Sequence, residues 1–175
     1  MKVHIIGLPS SGKTTLAKGL SSLLGVPHHD LDAVVFADDR WTLRPVPDRD
    51  ELVARILASP GFVTEGGFLG WTDGFIAAAD HIVWLDPPLR ILIWRHVRRH
   101  GRLSHPGWLI ARLSFQILSY IRPEGRGPAE FDPNQTRSGI EAALRPWADK
   151  VVRLRHEVAT AELMRQLRPT RNGDS

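Results

Sequence analysis

Short apolar runs alternate with helix-period patterns along most of the chain, which predicts repeated β-α units and a parallel sheet. The first strand is read over Lys2 to Ile6. Beyond a polar, glycine-bracketed stretch, Leu16, Leu20, Leu23 and Leu24 recur at helical spacing, with Gly25 as a natural stop. Val26 to Asp32 predicts a short second strand ending in acids. Asp48-Arg49-Asp50-Glu51 has the form of a capping box, and Leu52, Ile56 and Leu57 fall on one face of the helix it would open, before Pro60-Gly61. Phe62-Val63-Thr64 predicts strand three, leading into Glu65-Gly66-Gly67. A helix near Trp71 to Ala79 precedes strand four, His81 to Leu85, and Asp86-Pro87-Pro88 opens a helix reaching about His100.

Residues 101 to 135 break this rhythm. They hold an apolar segment, WLIARLSFQILSYI, and then a polar loop. Arg112 and Gln116 interrupt the segment, which is too short to span a bilayer, so a helix packed on the body or in a lid is expected. A helix to about Trp147 follows, with Ile140, Leu144 and Trp147 on one face. Val151 to Leu154 reads as strand five, Ala159 to Leu167 as the closing helix, and 169–175 as a frayed tail. One domain over 1–168 is expected.

The stretch after strand one, Gly7-Leu8-Pro9-Ser10-Ser11-Gly12-Lys13-Thr14-Thr15, has the spacing of a phosphate-cradling loop. Successive backbone N–H groups of such a loop curl around a β-phosphate, and the next helix points its positive end at it. Gly7 and Gly12 permit the tight curl, with Pro9, Ser10 and Ser11 completing it. Lys13 reaches the β- and γ-oxygens, the Thr14 hydroxyl can ligate Mg²⁺, and Thr15 can touch the α-phosphate. The chain has no Asn-Lys-x-Asp stretch of the kind that reads guanine, so ATP is the expected nucleotide.

Ligands in parallel sheets bind beyond the carboxyl ends of the strands. Asp30 and Asp32 close predicted strand two and would share one side of it, where they could hold a Mg²⁺-bound water or accept a substrate hydroxyl; a helix cap is the competing role. Glu65 is a candidate for the magnesium shell, ahead of Asp86, which can instead cap the next helix. Gly66 and Gly67 would admit a substrate to backbone N–H groups. On the helix after Asp86, Arg95, Arg98, Arg99 and Arg102 share one face, opposite Leu89, Leu92, Ile93 and His96. Arg95 and Arg99 are the leading candidates to reach a migrating phosphoryl group, with Arg137 as a further one. Arg40 and Arg44 flank Trp41 and could bind an anionic part of a substrate, or merely decorate a surface loop.

Composition narrows the setting. The chain has 175 residues, enough for a substantial core, and a net charge of +4. That balance suits phosphates and is too weak to argue for direct nucleic-acid binding. Cysteine is absent, which excludes disulfides and thiolate metal sites and fits a cytoplasmic location; no signal peptide or membrane span is visible.

With these residues assembled, the chain resembles the small P-loop kinases of the adenylate kinase superfamily, and most closely the adenylate kinase-like proteins labelled DNA topology modulation proteins. The resemblance rests on GLPSSGKTT, HHDLDAVVF, VTEGGFLGWTDGFIAAAD and HIVWLDPPLRILIWRHVRR, and covers most of residues 3 to 167. It implies a three-layer α/β/α fold around a five-stranded parallel sheet, ATP with Mg²⁺, an acceptor-binding insertion over about 33–60 and a lid over about 101–135. Glu65 stands where many members have Asp. Glu65-Gly66-Gly67-Phe68-Leu69 departs from the Asp-Gly-Phe-Pro-Arg turn of adenylate kinases, so the arginine that would bind a nucleotide monophosphate there is missing. Asp30-x-Asp32 and Gly66-Gly67 also resemble shikimate kinase features, which favours a hydroxylated acceptor.

The expected activity is transfer of the γ-phosphoryl of ATP to a small molecule, with a nucleotide among the candidates. Catalysis would fall to Lys13, Arg95, Arg99 and Asp32, metal binding to Thr14 with Glu65 or Asp30, and acceptor binding to Asp30, Asp32, Arg40, Arg44, Gly66 and Gly67. A shikimate kinase-like or antibiotic-type alcohol kinase is one alternative. An ATP-binding regulator with slow hydrolysis, using WLIARLSFQILSYI as a docking helix, is another. Oligomeric state is open.

Overall fold

The computed structural model describes residues 1–38, 42–67, 72–100 and 136–168. The lid over about 101–135, the tail, Arg40, Trp41, Phe68, Leu69 and Arg102 lie outside the described residues, as does the side chain of Arg99.

The chain runs β1 (Lys2–Gly7), α1 (Lys13–Leu24), β2 (His28–Asp30), α2 (Leu31–Val35), α3 (Val46–Leu57), β3 (Phe62–Gly66), α4 (Asp73–Ala78), β4 (His81–Leu85) and α5 (Leu89–His100). It resumes with α6 (Arg137–Leu144), a short 3₁₀ turn (Arg145–Trp147), β5 (Val151–Leu154) and α7 (Glu157–Gln166). The strands form one five-stranded sheet in the order β2-β3-β1-β4-β5, with every pairing parallel.

Alternation along β1 explains the layers. Val3 and Ile5 pack with Leu16, Leu20, Leu163 and Leu167, under α1 and α7. Ile6 packs on the other face with Ile76, Trp84, Leu92, Ile140 and Leu144, under α4, α5 and α6. A third cluster of Leu31, Val34, Ile56, Phe62 and Phe75 packs α2, α3 and α4 against β3. A strand buried on both faces reads as a continuous apolar run, as Val3 to Ile6 does apart from His4. Trp147 is partly buried against the second layer, as its periodicity predicted.

Three expectations are corrected. The second strand stops at Asp30, because the Asp30 side chain accepts the Asp32 N–H at 2.9 Å and caps α2; Asp32 therefore sits on a helix and does not alternate with Asp30 along a strand. The helix α3 starts at Val46, before the expected capping box: Pro45 is its cap residue and a proline occupies its first turn, where no N–H partner is needed. On α5, Leu92 and His96 are buried as predicted, but Ile93 is 41 % exposed. The helix packs over a narrower stripe than its periodicity suggested.

Candidate active site

The loop between β1 and α1 has the backbone geometry of an anion cradle. Ser10 has φ 64°, the one non-glycine residue at positive φ among those described, and Gly12 has φ 101°. Both conformations are costly for an L-residue and persist only where surrounding structure enforces them. A Cβ on Gly7 would lie 2.7 Å from the Leu85 carbonyl oxygen, so the loop can leave the sheet here only from a residue without a side chain. Gly12 caps α1 without any side-chain hydrogen bond, which leaves the first-turn N–H groups turned toward the loop. The Lys13 ammonium folds back across the loop and donates to the Leu8 carbonyl at 3.2 Å.

At the second residue of α1, the Thr14 hydroxyl donates to Glu65 Oε1 at 2.6 Å. Thr14 is exposed and Glu65 is 3 % exposed, so the pair joins the mouth of the loop to the end of β3. His28, on the neighbouring strand, brings its Nε2 to 3.8 Å from the same oxygen. Gly67 follows beside the loop: a Cβ there would be 3.6 Å from the Gly7 carbonyl oxygen.

Asp30 and Asp32 lie on the same side of the site as Lys13 and Glu65. The Asp32 side chain opens to solvent at the site's edge, but burial of its carboxyl raises its pKa, and the charges of Asp30 and Glu65 add to the rise while Lys13 opposes it. A carboxylate so perturbed is a better proton acceptor than a free one.

From the opposite side, Arg95 on α5 reaches over the loop and donates from Nη1 to the Ser11 carbonyl at 3.0 Å. Arg98 turns away and lies over the Trp94 ring at 5.2 Å. The predicted stripe is thus divided, with Arg95 at the loop and Arg98 on the surface. Arg137, on α6, donates to Asp86 from Nε at 3.0 Å and from Nη2 at 2.9 Å. Asp86 is also gripped by Arg153, whose Nε and Nη2 donate at 3.0 and 2.7 Å, and Arg155 stands 3.6 Å away. A carboxylate clasped by two guanidinium groups serves as a brace between β4, β5 and α6 rather than as a metal ligand. Arg44 likewise has a structural job: its Nε and Nη2 donate to the carbonyls of Val34, Ala33 and Phe36, closing the C-terminal end of α2.

Two cavities lie on the described surface, one of them beside the loop. One of about 250 Å³ opens beside Ser11 and Arg95, between the start of α5 and the segment Arg155-His156 after β5. It borders the loop through Ser11. The other, of about 620 Å³, runs along the outer edge of β2 between α2 and α3, past His29, Asp30, Arg44 and Arg55. His29 has a lowered pKa there, through burial first and the neighbouring His28 second.

Sequence reasoning missed His28, Arg153 and the Arg155-His156 segment. Arg153 carried a signal: an arginine inside the strand Val151–Leu154 must find a partner, and the β4–β5 register sets it opposite Trp84, over whose ring it lies at 3.9 Å.

No protein-family model matches the chain, and no curated protein sequence matches it. Solved structures do. A gluconokinase from Sinorhizobium meliloti 1021 superposes with a TM-score of 0.55 at 17% identity, over 94% of this chain and 87% of that one. A shikimate kinase from Acinetobacter baumannii, in complex with shikimate, superposes at 0.50 and 16% identity, over 95% and 89%. The five-stranded parallel sheet between two helical layers, with a phosphate-type loop leaving its central strand, is the fold of the P-loop kinases.

Proposed function

We propose that the chain is a magnesium-dependent kinase that transfers the γ-phosphoryl of ATP to a hydroxyl of a small polar molecule. The observation that carries this is the coupling of a strained phosphate-type loop to a buried acid by the 2.6 Å Thr14–Glu65 hydrogen bond, with Arg95 lying over the same loop.

Loop N–H groups and the α1 terminus would hold the β-phosphate, with Lys13 and Arg95 placed to neutralise charge on the migrating group. The Thr14 hydroxyl and Glu65, with Asp30 beside them, supply the oxygen donors that a hard cation prefers. Among the described residues no cluster of three or more His, Cys, Asp or Glu could hold a metal by itself. That fits Mg²⁺, which keeps much of its water and binds through one or two protein oxygens plus phosphates. When bound, Mg²⁺ would supply charge neutralisation on the phosphates. Asp32 would orient the acceptor hydroxyl and take its proton, a role its raised pKa suits.

A hydroxylated acceptor is favoured over a nucleotide on two grounds. The phosphate-binding arginine of the adenylate kinase turn is missing from Glu65-Gly66-Gly67-Phe68-Leu69. The two structural relatives are by name kinases of gluconate and shikimate, both hydroxylated carboxylates. Closeness to the adenylate kinase-like members rests on the sequence motifs. No helix among the described residues is long and apolar enough to cross a membrane, and with a cysteine-free chain we place the enzyme in the cytoplasm.

The test is ADP release over a panel of hydroxylated carboxylates, polyols, aminoglycoside-type alcohols and nucleoside monophosphates. At least one acceptor should raise turnover well above hydrolysis, and Lys13→Ala should lower it by about 10²-fold or more. A Lys13→Ala variant with unchanged ATP affinity and turnover would refute the assignment.

A further inference from the structure

The Glu65 carboxylate is almost wholly buried, and Oε1 accepts the Thr14 hydroxyl. An ionised carboxylate has acceptor capacity for about four donors, and inside a protein each unmet one is costly. The next polar group facing it is His28 Nε2, 3.8 Å from the same Oε1, about 0.8 Å beyond an ordinary N–H···O distance. That nitrogen is itself buried and makes no hydrogen bond. A buried nitrogen without a partner therefore faces a buried carboxylate with acceptor capacity to spare, across a gap that a small ring movement closes.

The register explains the meeting. His28 pairs with Val63 and Asp30 with Glu65 in the parallel β2–β3 ladder. Alternation sets His28, Asp30, Val63 and Glu65 on one face of the sheet, so His28 and Asp30 flank Glu65 from the edge strand while Thr14 meets it from α1.

We propose that His28 is a positioning residue for Glu65: its Nε2–H, in the corresponding tautomer, fixes the same Oε1 that accepts the Thr14 hydroxyl, so that the carboxylate is preset to receive a magnesium ion with its nucleotide. The role rests on the magnesium–nucleotide site proposed above, and follows the rule that groups holding a metal's ligands matter nearly as much as the ligands. Glu65 is the group toward the cation; His28 acts through it.

The test is calorimetry of ADP binding to the full chain, in EDTA and across a Mg²⁺ series, for wild type, His28→Leu and His28→Gln. His28→Leu should raise the Mg²⁺ concentration needed for half-maximal enhancement on the order of tenfold, with affinity in EDTA unchanged within twofold. His28→Gln, which can present an amide N–H to Glu65, should recover most of the loss. In a Glu65→Gln background, His28→Leu should add no further loss. A His28→Leu protein with the wild-type Mg²⁺ response, or one equally weakened with and without Mg²⁺, overturns the positioning role; the second result marks a purely structural residue. If wild-type ADP affinity does not respond to Mg²⁺ at all, the metal site itself is overturned, and His28 with it. Should His28→Leu fail to fold, the His28→Gln titration decides: a response within threefold of wild type supports the role, and a tenfold loss overturns it.

Discussion

His4 sits in the middle of the central strand, fully buried, and gives the sharpest thermodynamic prediction. Its Nδ1 meets the Thr64 hydroxyl at 2.9 Å, its ring stacks on Phe75 with centroids 6.4 Å apart, and its Nε2 is buried without a partner. Burial lowers its pKa from 6.5 to about 4. The folded state therefore keeps His4 neutral over a range where the unfolded chain binds the proton. Stability from this residue is fully present above pH 6.5 and is lost as pH falls toward 4, where the folded state also takes up the proton. A difference of about 2.5 pH units corresponds to about 3 kcal/mol in all, of which about 2 kcal/mol is lost by pH 5. The perturbation is His4→Phe, which keeps a ring against Phe75 and removes the titration; Thr64 retains the Val3 carbonyl at 3.5 Å. Urea unfolding of both proteins, followed by tryptophan fluorescence from pH 7.5 to 4.5, gives each stability by linear extrapolation. Wild type should lose about 2 kcal/mol more than His4→Phe between pH 7.5 and 5. A difference between the two that stays flat over this interval refutes the burial argument, whatever the absolute stabilities.

Other substitutions test the loop and its supports. Gly7→Ala drives a Cβ into the Leu85 carbonyl oxygen and should cost about 1–3 kcal/mol of stability, with loss of ATP binding measured by calorimetry. Arg95→Ala should lower kcat by about 10²-fold while ATP affinity changes only a few-fold, since the guanidinium is assigned to the migrating group; a purely KM effect would place it in ground-state binding. Asp86→Ala leaves the guanidinium groups of Arg137 and Arg153 without their shared carboxylate and should reduce stability by about 3 kcal/mol in thermal or urea unfolding.

Much of this molecule was legible in its sequence because the signals were local. The phosphate-type loop announces itself by spacing, and strand four, the helix end at Gly25 and strand five follow from periodicity and stop residues. What failed to show was decided by competition between neighbours. Asp30-Leu31-Asp32 reads as alternation until Leu31 and Val34 are seen to be buried one helical turn apart, which makes a cap of the first acid and a helix of the rest. Arg44 could be read only as an anion-binding or a surface-loop residue, because nothing local reveals that it also closes the carbonyls of α2, only five residues long. Arg137 and Asp86 were each weighed alone, yet they are 51 positions apart and Arg153 joins them from a third element. Ion pairs that bridge elements leave no periodicity.

The strand order carries a consequence for how the protein comes into being. The loop-bearing strand is the first in sequence but the middle one in space, between β3 and β4. Ile6 pairs with Gly66 and Gly7 with Leu85, separations of 60 and 78 positions. A chain emerging from the ribosome releases the loop segment before its neighbours, yet cannot give it walls until residue 85 is out, nor brace Asp86 until Arg153 follows. Contacts of such long range are slow to form. The geometry of the loop is therefore a property of the finished sheet, and the strand made before the other four is among the last to be walled in.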